Sequence, residues 1–174
     1  MTEALALSAP RQIENLAEQV LKLACDRDVK LATAESCTGG MLAALLTDIP
    51  GCSHAFERGF VVYTDEAKHE LLGVSQQVLA EDGAVSEAAA IAMAEGALAR
   101  SRAEVVVAIT GYTDPGPKPE EEAGLVHFAA ARRGCGPQHR MVRFGALGRD
   151  RVREGALETA LQMMRQQLEA PEGP

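Results

Sequence analysis

Val29-Lys30-Leu31-Ala32-Thr33-Ala34-Glu35-Ser36-Cys37-Thr38-Gly39-Gly40-Met41-Leu42-Ala43-Ala44-Leu45-Leu46 is the stretch on which the fold class turns. Val29 to Ala34 reads as a short β-strand. A polar turn with two glycines follows at once, and the apolar block from Met41 to Leu46 continues as a helix until Pro50-Gly51 stops it. The order is strand, glycine-containing turn, helix.

Upstream, Ile13, Leu16, Ala17, Val20, Leu23 and Ala24 recur at helical spacing and predict an amphipathic helix ending near Asp28. Residues 1–10 are small and mixed, end in Pro10, and read as a mobile arm. Downstream, Gly59 to Tyr63 reads as a second strand. Thr64 and Asp65 can cap a helix that carries Glu66, Lys68 and Leu71-Leu72 and stops at Gly73. Ser75 can cap a short helix to about Glu81, and Ser86 starts a long Ala-rich helix to about Arg102. Glu104 to Thr110 is the core strand, because Val-Val-Val-Ala-Ile shows no polar alternation. Gly111 to Ala123 is a loop rich in Pro and Glu. Gly124 to Ala131 and His139 to Phe144 read as strands joined by the turn Arg132-Arg133-Gly134-Cys135-Gly136-Pro137. A last helix, about Asp150 to Leu168, ends in the tail Ala170 to Pro174. Helices interleaved with about five strands predict an α/β sheet flanked by helices, partly parallel, with one hairpin near the end. Neither a repeat nor an interdomain linker is visible, so residues 11–170 read as one domain.

Composition narrows the function classes. A chain of 174 residues fits one domain with a continuous core. Apolar residues make up 47%, much of it Ala, while aromatics are only 3% and Trp is absent, so stacking platforms for single-stranded nucleic acid are scarce. A net charge of −8 is the wrong sign for neutralising phosphates over an extended surface. No apolar run approaches the roughly 18 residues of a membrane span, and no basic region precedes a hydrophobic block. The expectation is a cytoplasmic protein that binds neither nucleic acid nor membrane; self-association into a homo-oligomer is compatible with the sequence. Cys25, Cys37, Cys52 and Cys135 lack metal-ligand spacing and read as reduced thiols, and His54, His69, His127 and His139 are scattered. No metal and no cofactor are expected.

In open α/β sheets, ligands bind beyond the carboxyl ends of the strands. Three segments deliver polar residues to that edge: Glu35–Gly40, Tyr63–Lys68 and Thr110–Gly116. In the first, two glycines allow close backbone approach, and N–H groups at the helix start suit a phosphate or a developing oxyanion. The plainer reading is that Ser36 or Thr38 merely caps the helix. The segment is neither a phosphate-binding P-loop, since no Gly-Lys-Ser/Thr follows, nor a G-x-S-x-G elbow, since Ala34 and Thr38 stand where glycines would be. A serine nucleophile needs a base, and Lys68 lies on the helix after the second strand, five residues beyond the Tyr63 phenol. Desolvated there, its amine would lose affinity for the proton and could take that of Ser36, with Tyr63 relaying the proton or orienting the amine. The plainer readings are a solvated helix lysine and a strand-end tyrosine with a wet hydroxyl. Cys37 has no histidine placed to activate it.

The segments Thr33-Ala34-Glu35-Ser36-Cys37-Thr38-Gly39-Gly40, Phe56-Glu57-Arg58-Gly59-Phe60-Val61-Val62-Tyr63-Thr64-Asp65-Glu66-Ala67-Lys68 and Gly83-Ala84-Val85-Ser86-Glu87 resemble the CinA C-terminal domain family, in order, over roughly residues 11–168. The resemblance implies a single three-layer α/β/α domain with a mixed, mostly parallel sheet. It implies a nicotinamide-nucleotide amidase of pyridine-nucleotide salvage, which turns nicotinamide mononucleotide into nicotinic acid mononucleotide and ammonia without a cofactor. The family's catalytic serine, lysine and tyrosine fall on Ser36, Lys68 and Tyr63. Glu35, Cys37, Thr38, Gly39, Gly40, Thr110 and Gly111 would line the substrate, and the family's arginine before the last helix falls on Arg149 or Arg151, most naturally Arg149. Two stretches depart from the family. Tyr112-Thr113-Asp114-Pro115-Gly116-Pro117-Lys118-Pro119-Glu120 replaces a more glycine-rich loop, and Phe144-Gly145-Ala146-Leu147-Gly148-Arg149 is one residue longer than usual. The competing expectation is a nucleotide-binding domain with little or no amidase activity.

Overall fold

The computed structural model describes residues 9–116, 118–119 and 121–171. The arm expected over residues 1–10 falls outside the described residues except for Ala9 and Pro10, and so does the tail from residue 172 onward. The elements run α1 (Arg11–Asp26), β1 (Leu31–Glu35), α2 (Met41–Asp48), β2 (Phe56–Val61), α3 (Asp65–Leu72), α4 (Gln76–Glu81), α5 (Glu87–Ala99), β3 (Val105–Gly111), β4 (Leu125–Arg132), β5 (Gln138–Arg143) and α6 (Arg149–Glu169), with a single 3₁₀ turn, Ser53–Ala55, ahead of β2.

The sheet has the order β2-β1-β3-β4-β5. β1 pairs in parallel with β2 and β3, and β4 pairs antiparallel with β3 and β5, so β4 alone runs against the other four strands. The sheet is therefore mixed and mostly parallel, and β4–β5 is the hairpin expected near the end. β3 is apolar on both faces because both are covered. Val105, Val107 and Ile109 face a core built with α1, α2 and α6, while Val106 and Ala108 face a second core built with α3 and α5. Three layers result.

Local signals act where the sequence puts them. The side chains of Thr64, Ser75 and Ser86 accept from the backbone N–H three residues on and cap α3, α4 and α5. β2 departs from its expected bounds of Gly59 to Tyr63. It is an edge strand whose register with β1 starts at Leu31↔Phe56 and resumes, after an irregularity, at Ala32↔Arg58. An edge strand with one neighbour tolerates polar residues such as Glu57 and Arg58, and so hides from an apolar pattern. One close approach sets the place of α3. A Cβ on Gly96 of α5 would lie 2.0 Å from the Leu72 carbonyl, so only glycine lets α5 seat against the end of α3, the helix that carries Lys68.

Candidate active site

β1 and β3 end side by side, and the chain leaving β2 turns into α3 beside them. A cavity of about 300 Å³ lies at this edge, and Ser36, Cys37, Tyr63, Lys68, Thr110, Gly111 and Arg149 are among the residues that line it. Ser36 is the first residue beyond β1, and its N–H donates to the Ile109 carbonyl at 3.0 Å, which ties it to β3. The turn then needs two residues with positive φ, and Gly39 (60°) and Gly40 (93°) supply them.

Neither Ser36 nor Thr38 caps α2. Its N-cap is Gly40, with no side-chain cap of its own. The cap comes from Glu35, fully buried, whose carboxylate accepts from the N–H of Gly40 (3.1 Å), Leu42 (3.1 Å) and Ala43 (2.8 Å). Glu35 is expected from the sequence to contact substrate; in the fold its carboxylate is engaged by α2. Its carboxylate folds back over its own turn, occupies the helix N-terminus that an anion would otherwise use, and does not line the cavity. Thr38, Gly39 and Gly40 do not line it either. The Gly39 N–H donates to Ser36 O at 3.1 Å and that of Met41 to Thr38 O at 3.1 Å. Among the described residues, the turn's N–H groups left without a recorded partner are those of Cys37 and Thr38. Of these two, Cys37 lines the cavity and Thr38 does not.

Lys68 is 1% exposed. Its Nζ lies 3.1 Å from Ser36 Oγ and 3.2 Å from the carbonyl oxygens of both Val62 and Tyr63. Burial pushes the amine below the ordinary lysine value of 10.5, against smaller upward pulls from Asp65 and Cys37. The coordination accommodates both forms. An ammonium can donate to all three oxygens, while an uncharged amine can give its two N–H bonds to the carbonyls and keep its lone pair for the serine hydroxyl. The arrangement is a buried serine–lysine pair able to pass a proton from Oγ to Nζ.

Tyr63 meets Lys68 through its main-chain carbonyl, while its side chain, 67% exposed, stands at the cavity wall. The contact between Tyr63 and the amine is thus made by the backbone, not by the phenol to which the sequence points. Thr110 Oγ1 donates to the Ala84 carbonyl at 2.7 Å, which fixes the 83–86 segment as the cavity's far wall. Gly111 is needed for close approach to β4, since a Cβ there would lie 2.7 Å from Leu125 O. Arg149 lines the cavity and pairs with Asp114, whereas Arg151 pairs with Glu154 on a different surface. Of the two arginines, Arg149 is the one at the cavity. Burial pushes the Cys37 thiol up to about 12, which keeps it protonated and a poor nucleophile.

A family model of the CinA C-terminal domain matches residues 13–168. The chain belongs to the CinA C-terminal domain family. It is 45% identical over 159 residues to the nicotinamide-nucleotide amidohydrolase PncC of Escherichia coli K12, an alignment covering 90% of this chain and 95% of that protein. It is 48% identical over 163 residues to a putative competence-damage inducible protein of Symbiobacterium thermophilum, covering 89% of this chain and 38% of that relative. This chain thus spans well under half the length of that longer protein. Among solved structures, the competence/damage inducible protein CihA of Agrobacterium tumefaciens superposes with a TM-score of 0.90 at 42% identity, covering 95% of this chain and 100% of that one. A CinA superfamily protein of Escherichia coli gives 0.83 at 37% identity, covering 96% and 95%.

Several CinA-domain residues at the cavity escape a reading of the sequence. Ala84 and Val85 line it, and their signal was present in the Gly83-Ala84-Val85-Ser86-Glu87 motif, which carried the family resemblance without a role. Tyr112, Thr113 and Asp114 also line it; they lie in the Thr110–Gly116 segment that the sequence places at this edge, though without roles of their own. Arg153 of α6 donates from Nε to the Cys37 carbonyl at 2.9 Å, and nothing in local spacing announces that bond. No helix among the described residues is long and apolar enough to cross a membrane. Among the same residues, no group of three or more His, Cys, Asp or Glu side chains is placed to hold a metal ion.

Proposed function

We propose that residues 11–170 act as one amidase domain that hydrolyses the carboxamide of nicotinamide mononucleotide, giving nicotinic acid mononucleotide and ammonia, in cytoplasmic salvage of pyridine nucleotides and without a cofactor. The observation that carries this reading is the buried Lys68 Nζ at 3.1 Å from Ser36 Oγ, its affinity for a proton lowered by burial. A relative that covers 95% of its own length in the alignment and bears the amidohydrolase name supplies the substrate class.

Ser36 Oγ attacks the carboxamide carbon while Lys68 Nζ takes its proton. The N–H of Cys37, which lines the cavity beside Ser36, receives the charge that develops on the carboxamide oxygen. The C–N bond breaks as the Lys68 ammonium returns the proton to the departing nitrogen, which releases ammonia and leaves an acyl ester on Ser36. Water, deprotonated by the same amine, then cleaves the ester and restores the serine. Tyr63 orients the amine through its carbonyl, Thr110 and Gly111 shape the wall, and Arg149 receives the substrate's phosphate.

Ammonia release from nicotinamide mononucleotide, compared between the wild type and Ser36→Ala, tests this. Release by the wild type and none by the variant is the expected result. A wild type that binds the nucleotide but releases no ammonia would select the binding-domain reading instead.

A further inference from the structure

Arg153 lies on α6, 116 residues along the chain from the turn it touches, and it is partly buried there. Its Nε donates to the carbonyl oxygen of Cys37 at 2.9 Å. Three other carbonyls of the turn are held locally. Gly39 N–H binds Ser36 O, Met41 N–H binds Thr38 O and Ala44 N–H binds Gly40 O. Among the described residues, the Cys37 carbonyl alone in this turn is held from a distant element. It also belongs to the peptide that carries one of the two unpartnered N–H groups.

Geometry makes the consequence definite. In a trans peptide, the C=O and the following N–H point in opposite directions in one plane. Holding the Cys37 carbonyl on α6 therefore fixes the Thr38 N–H on the opposite side and limits rotation of the adjoining Ser36–Cys37 unit. A guanidinium on the carbonyl also draws charge through the amide and makes that N–H a stronger donor. The peptide units on either side are held within the turn, Ser36 O by the Gly39 N–H and Thr38 O by the Met41 N–H, and the Arg153 bond holds the plane between them. A donor held in place before charge develops is the means by which an enzyme stabilises an oxyanion.

We infer that Arg153 is a positioning residue for the serine turn, acting through the Cys37 carbonyl to hold Ser36 and the N–H of Cys37, the two residues of the turn that line the cavity, ready for an oxyanion. The inference rests on the serine–lysine reading of the site. It assigns Arg153 no contact with substrate, and this separates it from Arg149, which lines the cavity. Loss of Arg153 should therefore lower kcat and leave KM nearly unchanged, whereas a substrate-binding arginine would do the reverse.

The test compares wild type, Arg153→Ala and Arg153→Lys, with folding checked by thermal melting, by two readouts. One is kcat and KM for ammonia release. The other is the rate at which Ser36 is phosphonylated by a fluorophosphonate, which needs the nucleophile and the donor but no cognate substrate. Arg153→Ala is expected to lose at least tenfold in kcat and a similar factor in labelling rate, with KM within about twofold. Arg153→Lys, which keeps a charged donor, should recover part of both. Should Arg153→Ala fail to fold, the same comparison is read on Arg153→Lys, where a loss of at least threefold in both rates with unchanged KM is expected. A folded variant that labels and turns over like the wild type, or one that changes only KM, overturns the inference alone. A wild type that neither labels at Ser36 nor releases ammonia overturns the serine reading, and this inference with it.

Discussion

The two walls of the cavity are built on different terms. On one side, the turn after β1 is buried and densely bonded: Glu35 holds three N–H groups of α2, Ile109 holds Ser36, and Lys68 is enclosed by two carbonyls and a hydroxyl. On the other, Arg149 and Asp114 face each other with about half of each side chain exposed, one at the start of α6 and the other in the loop after β3. Groups that must move a proton between fixed atoms need the first kind of setting, because a desolvated amine and a preorganised donor lose their value once water reaches them. Groups that only greet a charged ligand work in the second, where pairing is weak and easily exchanged. Changes on the buried wall should therefore act on kcat and on folding, and changes on the exposed wall on KM.

The largest effect belongs to the nucleophile. Ser36→Ala should lower kcat by roughly a thousandfold or more with an unchanged melting temperature, since a single hydroxyl is removed at a turn whose shape is set by Gly39, Gly40 and Glu35. Near wild-type ammonia release by this variant would break the comparison at its centre. Lys68→Arg comes next. It keeps the positive charge but cannot give up a proton at any working pH, so it should fall within about threefold of Lys68→Ala, both roughly 10²–10⁴ below wild type. The base must be unprotonated to act, so kcat/KM should rise with pH and level off at the amine's pKa. Burial places that plateau below the ordinary value of 10.5. Substantial rescue by arginine, with a limb that stays at the ordinary value, would move Lys68 to the binding side.

Glu35→Gln sharpens the distinction between positioning and contact. The amide keeps one acceptor and turns an NH₂ toward a backbone N–H, so a buried donor loses its partner at a cost of about 1–3 kcal/mol. Urea unfolding should show that loss, with KM unchanged if ligand never touches the carboxylate. A raised KM without loss of stability would restore Glu35 to the substrate.

Much of the frame was legible because its causes are local. The uninterrupted apolar run of β3, the hydroxyl caps at Thr64, Ser75 and Ser86, and the paired glycines before α2 each act within a few residues of where they are written. The carboxylate of Glu35 looks available in the sequence because it stands at a sheet edge, and only the fold reveals that the side chain turns back on its own helix. Tyr63 and Lys68 are close in the sequence, but which atom of Tyr63 meets the amine depends on how the chain leaves β2. The Arg153–Cys37 bond joins the second turn of α6 to the turn after β1, and no periodicity links such distant residues. β2 was shifted by about three residues at its start because an edge strand can carry Glu57 and Arg58 without interrupting its ladder.

On the exposed wall, Arg149→Ala should raise KM for the mononucleotide about tenfold, near 1.4 kcal/mol, with kcat within about twofold. The corresponding nucleoside, which lacks the phosphate, should show no such change. Equal losses on both substrates would mean that Arg149 contacts the carboxamide end.

Asp114→Asn should have the smallest effect, and its sign is the informative part. The guanidinium of Arg149 is already engaged by the Asp114 carboxylate, so an arriving phosphate must share or displace that partner and also approach a negative charge. An exposed pair of this kind contributes about 0.2–1 kcal/mol, which limits the gain from releasing it to about two- to fivefold in KM. Asparagine keeps an acceptor for the Thr113 hydroxyl, which lies 3.2 Å from the carboxylate, so the loop need not rearrange. KM should therefore fall by that factor at low ionic strength, and the difference should shrink at 1 M salt, where the screening length drops to about 3 Å. In an Arg149→Ala background most of the gain should vanish, because the cation being released is gone. A rise in KM for Asp114→Asn would mean that the carboxylate holds Arg149 in the pose that receives the phosphate, and the exposed wall would then be as preorganised as the buried one.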